Sequence, residues 1–226
     1  MLPVRGRRKT ALVAKPADPE LAKILEDYQT DSSGGDLQLW PTGWQLEALQ
    51  QIMPDLQPKQ LTTEEIAAMS ILLARKDFAG VVEQFGMADQ ATEAAEENYP
   101  DSVDDGHGDA FRHAYWNALM AQRFGPDWTE IYGTAHEKSG GNPPNREAMD
   151  LFNNQLGREI GAANPDASPE ELQQLIKNEI DQGNAIVLAI PPGDPAGSPV
   201  ITWSDQVNEL DTDQAPGVDV PLPRKN

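Results

Sequence analysis

Cysteine is absent from the 226-residue chain, and histidine occurs only three times. Disulfide frameworks, thiolate zinc sites and cysteine nucleophiles are thereby excluded. Basic residues are also scarce, with 17 Lys and Arg against 37 Asp and Glu and a formal charge of -20. A surface of that sign repels phosphate backbones, so nucleic-acid binding by a basic face is not expected, although a small pocket acting on a phosphoester stays open to it. No run approaches the roughly 18 apolar residues that cross a bilayer, so no transmembrane segment is expected. The charged start of the chain lacks the apolar stretch of a signal peptide. The sequence therefore reads as soluble, whether cytoplasmic or exported without a recognisable signal. Its length suits one proper core, since single domains commonly run from about 100 to 250 residues.

What is present is a succession of helix signals. Residues 1–17 hold Arg5, Arg7, Arg8, Lys9 and Lys15 without apolar period and read as a flexible basic arm. Asp18 and Pro19 open a helix to about Gln29, and Thr42 caps another carrying Trp44, Leu46, Leu49 and Ile52. Thr62 and Glu65 have capping-box spacing ahead of the apolar run Ile66 to Leu73. Lys76 to Phe85 and Ala88 to Asn98 continue the helical reading, the second stretch acidic and expected to be solvated. Ser102 to Gly108 reads as a loop, followed by helices over Asp109 to Phe124 and from Gly125 through His136. After a turn-rich break at Ser139 to Pro144, Asn145 is expected to cap a helix to about Ala163, and Ser168 starts one ending near Gly183. The period then changes. Ala185 to Ile190 and Val200 to Trp203 read as two strands joined by a long loop. The acidic, proline-containing residues 206–226 read as a disordered tail. The expected fold is mainly α: a bundle-like single helical domain over 18–205, with a motif core at 100–165 and a small C-terminal β-hairpin at 184–204.

His107, His113 and His136 all lie within one stretch of 30 residues. Asp109 and His113 are four apart, which places a carboxylate and an imidazole on one helical face. Trp116 and Met120 continue that stripe, and Trp128, Tyr132 and His136 are again successive fours, so both histidines are expected to face inward, with Glu137 beside the second. Gly157 and Gly161 interrupt the third helix at about 1 kcal/mol each relative to Ala, which implies close approach of a neighbouring backbone. If three helices pack as a cluster, Asp109, His113, His136, Asp150 and Asn154 converge on one buried polar spot. Such groups must satisfy one another, water or an ion, because an unpartnered buried polar group costs on the order of 1 to 3 kcal/mol.

The functional reading is a hydrolase of phosphoester or lipid substrates. His113 serves as base or ligand and Asp109 as orienter or ligand, with His136 as second ligand or acid, Glu137 beside it and Arg112 as anion holder. Trp116 and Asn117 are candidates for substrate contact, and His107, Asp150 and Asn154 for ligating one divalent ion such as Zn, Mn or Ca. The competing reading is a non-enzymatic helical interaction or scaffold module whose polar network fixes register. Ser139 lacks a nucleophile-elbow pattern, and Gly106-His107-Gly108 lacks the strand of a dinucleotide loop. Gly140-Gly141 reads as a flexible break, and Trp40 and Trp44 as core or interface aromatics.

Asp109-Ala110-Phe111-Arg112-His113-Ala114-Tyr115-Trp116-Asn117-Ala118-Leu119-Met120, then Ala135-His136-Glu137 and Met149-Asp150-Leu151-Phe152-Asn153-Asn154, resemble the blocks of a bacterial domain of unknown function found in secreted and toxin-like proteins. The resemblance implies an all-α core over about 100 to 165 and an effector-like enzyme. Secretion machinery or an immunity protein would then be partners. The Arg112-His113 helix is also distantly similar to that of prokaryotic phospholipase A2, but Ala114 stands where that family places its calcium-ligating Asp. The zinc phospholipase C and nuclease group needs more histidines than the chain owns.

Overall fold

The computed structural model describes residues 14–31, 36–138, 142–190 and 198–208. Most of the basic arm, the tail from 209, the loop over 191–197, Ser139, Gly140 and Gly141 lie outside the described residues. Eight helices are described: α1 (Pro19–Asp27), α2 (Trp44–Gln50), α3 (Thr63–Ala74), α4 (Phe78–Asn98), α5 (His107–Phe124), α6 (Pro126–Glu137), α7 (Pro144–Ala163) and α8 (Pro169–Asp181). Two antiparallel pairs accompany them, β1 (Gln38–Trp40) with β2 (Lys59–Leu61) and β3 (Ile186–Ala189) with β4 (Val200–Trp203). The fold is mainly α, with the small sheet near its C-terminus.

Local chemistry sets many of these boundaries. Asp18 accepts from the Glu20 amide, and full capping boxes start α3 at Thr62/Glu65 and α8 at Ser168/Glu171. Gly125, at φ +88°, ends α5 and admits Pro126 as the first residue of α6.

Packing is organised around α5. Ala110, Phe111, Ala114, Tyr115, Ala118 and Met120 are all fully buried, and the helix contacts α4, α6, α7, α8 and β3. A helix apolar on so many sides belongs at the centre of a domain. Against α7 the approach is closest: a methyl group at Gly157 would overlap the Ala114 carbonyl oxygen, and one at Gly161 would overlap that of Ala118. The expected neighbouring backbone is therefore α5, and its proximity lets short polar side chains meet across the seam.

The hairpin pairs Ile186 with Trp203 and Ala189 with Val200. Its inner strand is tied to the helical body by three bonds. Ile186 exchanges two with the Asn153 side chain, at 2.8 and 3.1 Å, and the Leu188 amide donates to the Asp105 carbonyl at 2.8 Å.

Several boundaries differ from expectation. α4 is one unbroken helix, and its acidic second half turns Ala91, Ala94 and Ala95 to the core while Glu93, Glu96 and Glu97 face outward. Solvation of that half is thus confined to one face. α5 begins two residues early, so His107 is helical. α7 begins at Pro144, and Asn145 does not cap it; its amide reaches the carbonyls of Ala14 and Pro199, at 3.1 and 2.9 Å. The β1–β2 pair was not expected, because three-residue strands are too short to show alternation. Trp40 is core at 4 % exposure, whereas Trp44 stands 66 % exposed.

Candidate functional site

Four-residue spacing on two facing helices builds a buried polar cluster. α5 contributes Asp109, Arg112, His113 and Asn117, and α7 contributes Arg146, Asp150 and Asn154. Glu137 enters from the end of α6, and Asp105 from the segment before α5. Asp105 is held at φ +60°, a region tolerated by Asp, and its amide donates to Asp109 Oδ2 at 2.9 Å.

His113 is the hub, at 4 % exposure. Asn154 Nδ2 donates to Glu137 Oε1 at 3.0 Å, which leaves Asn154 Oδ1 to accept from His113 Nδ1 at 3.1 Å and from Asn117 Nδ2 at 2.6 Å. That assignment puts the imidazole proton on Nδ1 and the lone pair on Nε2. Nε2 lies 3.5 Å from Asp109 Oδ1 and 3.4 Å from Asp150 Oδ1. Arg112 Nη2 sits between, bonded to Asp109 Oδ1 and 3.0 Å from His113 Nε2.

Electrostatics follow from burial. Desolvation, reinforced by the Arg112 charge, pushes the His113 pKa down to about 3, so the ring is neutral at physiological pH. Desolvation, with the charges of Glu137 and Asp109, raises the Asp150 carboxyl well above the usual range. Asn142 donates to Asp150 Oδ2 at 3.1 Å, but the buried Oδ1 has no hydrogen-bond partner among the described residues. Carboxylates of Asp105, Asp109, Glu137 and Asp150 face the guanidiniums of Arg112 and Arg146, an excess of two negative charges when all are ionised. One ligand atom each from Asp109, His113 and Asp150 lies within 4.8 Å of the others, so the group could hold a metal ion. Arg112 connects this interior to solvent. It is 35 % exposed and lines a cleft of about 310 Å³ together with Thr92, Ala95, Glu96, Val103 and Asp104.

Asp109, Arg112, His113, Asn117, Glu137, Asp150 and Asn154 are therefore brought together, and His107, His136 and Trp116 are not. His107 Nε2 meets the Ser204 carbonyl at 2.8 Å and its ring stacks on Tyr99, so it secures the chain after the hairpin. Burial lowers its pKa. His136, expected to face inward, has a side chain 45 % exposed and pairs through Nδ1 with Glu65 at 2.9 Å. It projects about 100° around α6 from its neighbour Glu137. Burial pulls its pKa down, but the Glu65 hydrogen bond and the charges of Glu137 and Glu65 outweigh that and raise it. Trp116 and Asn117 are 6 % and 0 % exposed, and neither lines the cleft. Asn154 spends its oxygen on orienting His113, which places it behind the ligand set. Sequence reasoning missed Asp105, Asn142 and Arg146. Only Arg146 carried a signal, one turn before Asp150 on the same face.

Fold and site together define a mainly α-helical protein built around a buried carboxylate–histidine cluster. The chain belongs to the family described as Domain of unknown function (DUF6973), whose model matches residues 71–184. That span runs from within α3 to just before β3 and contains every residue of the cluster. No curated protein and no solved structure matches the chain.

Proposed function

We propose that the cluster is the centre of a hydrolase acting on an anionic ester, a phosphoester foremost, with one divalent cation held by Asp109, His113 and Asp150. The observation that carries this reading is the unpartnered, buried Asp150 Oδ1 within a set of three ligand atoms lying within 4.8 Å of one another. Two carboxylates and a neutral imidazole form a mixed oxygen and nitrogen shell suited to Zn, Mn or Ca. A cation held by Asp109, His113 and Asp150 would supply Lewis-acid activation of water for hydrolysis of the ester. Arg112 steadies the phosphoryl oxygens, and Asn154 and Glu137 hold the His113 tautomer. The motif blocks that resemble toxin-associated domains supply the cluster, which supports a bacterial effector as its setting, with an immunity or secretion partner.

A second reading has its own support: Arg112 already lies on Asp109 and His113, as a closed ionic network in a scaffold module would. Titration of chelator-treated protein with Mn²⁺ and Zn²⁺ by calorimetry, alongside hydrolysis of bis(p-nitrophenyl) phosphate, separates the two. The hydrolase reading expects one ion per chain and metal-dependent turnover, both lost in His113→Ala with the helical circular dichroism retained. Absence of both binding and turnover in the wild type gives the site to the network.

A further inference from the structure

The cleft over Arg112 has a chemical bias that hydrolysis alone does not require. Among the described residues its one lining cation is Arg112, at the junction with the buried cluster, and its acidic side chains are Glu96 on α4 and Asp104 in the segment before α5. Both acidic residues are exposed. Arg112 joins this cleft to the buried cluster, where it is bonded to Asp109 and His113.

A polyanionic substrate would meet two carboxylates, and the field of a chain carrying a formal charge of -20, before it reached the single guanidinium. An uncharged ester would give Arg112 nothing to bind. A molecule whose phosphate sits beside an ammonium answers both demands, since the phosphate oxygens can accept from Arg112 while the ammonium donates to the carboxylates. Among the described residues the lining contains no aromatic ring. Quaternary ammonium groups are characteristically held on aromatic faces, so a primary ammonium that donates hydrogen bonds is the better match. The volume of about 310 Å³ admits a headgroup, at the lower end of the roughly 300–1,000 Å³ usual for small-molecule sites.

We propose that this cleft selects a zwitterionic phosphodiester of the aminoalkyl kind, its phosphate on Arg112 and its primary ammonium held by Glu96 and Asp104. The inference rests on the hydrolase reading and narrows its substrate. The diester can come from a lipid headgroup or from a soluble metabolite.

Turnover by the Mn²⁺-loaded full chain is to be compared on glycerophosphoethanolamine, on glycerophosphoglycerol, which has the same phosphodiester without the amine, and on bis(p-nitrophenyl) phosphate. Vesicles of phosphatidylethanolamine form a fourth arm. The expected result is a preference in kcat/KM for the ethanolamine diester over the glycerol diester of about tenfold, the scale of two exposed ion pairs. That ratio falls to near one in the Glu96→Gln/Asp104→Asn double variant, through a rise in KM. Turnover of the soluble diester assigns a metabolite, and turnover confined to vesicles, likewise lost in the double variant, assigns a lipid. Equal and measurable turnover of the two glycerol-based diesters, no turnover of either or of the vesicles, or a ratio unmoved by the double variant, overturns the inference while hydrolysis of bis(p-nitrophenyl) phosphate keeps the hydrolase reading. Failure to cleave any of the four overturns both.

Discussion

Asp150 is the residue on which the site turns. Its Oδ1 is buried, lacks a partner and lies 3.4 Å from a neutral imidazole nitrogen. In metal-free protein that arrangement destabilises the fold, because an oxygen out of water without a hydrogen bond costs on the order of 1–3 kcal/mol. Asp150→Asn should therefore raise the urea midpoint in the presence of chelator, since a neutral amide there removes a buried carboxyl oxygen that no donor meets among the described residues, while the gain on adding Mn²⁺ disappears. A lower midpoint under chelator would show that the carboxyl is already satisfied. The partnership of Asp109 with His113 was legible from a spacing of four. Which of His136 and Glu137 lies deeper was not: neighbours on a helix point about 100° apart, and the partners of each are set by α3 and α7 across the gap. Glu65 gave no hint of pairing with His136, because the capping box already accounted for it.

Between elements, two contacts carry measurable consequences. At the seam of α5 and α7, Gly157→Ala should destabilise by about 1–3 kcal/mol, since overpacking against Ala114 outweighs the helix-propensity gain of roughly 1 kcal/mol. Gly86→Ala is the control: no heavy atom lies within 4 Å of an added methyl, so it should stabilise α4 by about 0.5–1 kcal/mol. Equal effects from the two substitutions in denaturant melts would contradict the packing argument. The presence of a close neighbour at Gly157 and Gly161 could be inferred from their helix-propensity penalty; its identity needed the fold.

Between α3 and α6, His136 and Glu65 set a pH dependence. His136 has its pKa raised on folding, so its stabilisation is complete below its unfolded value near 6.5 and is lost as pH climbs through the higher folded value. Glu65 is lowered: burial opposes the shift, and hydrogen bonds from His136 and Thr62 overcome it. Its share is complete above the unfolded value near 4.3 and lost as pH falls through the folded one. The difference in melting temperature between wild type and His136→Ala should be largest near pH 5–6 and shrink toward pH 9. A difference constant across that range would mean the pair does not titrate as described.

For the molecule as a whole, the proposed ligands come from α5 and α7, so cation binding would brace the central helix against its closest neighbour. Saturating Mn²⁺ at about 100 times its dissociation constant should stabilise the domain by roughly 2.7 kcal/mol in one cooperative transition, read by differential scanning calorimetry and absent in His113→Ala. A second, unshifted transition would place the ligands in separately folding units. The mainly α architecture could be read from caps and apolar spacing, because long periodic segments announce themselves. Short strands could not, since β1 and β2 owe their pairing to what surrounds them.

The grip of Asn153 on Ile186 bears on how copies of the protein behave toward one another. On the side of β3 away from β4, the amide and carbonyl of Ile186 are taken by one side chain and the amide of Leu188 by the Asp105 carbonyl. No foreign strand finds a row of open groups there to zip onto. Asn153→Leu would uncover part of that row, and the expected sequel at raised temperature is not simple unfolding but growth of β-rich oligomers, visible by light scattering and thioflavin fluorescence before the helices melt.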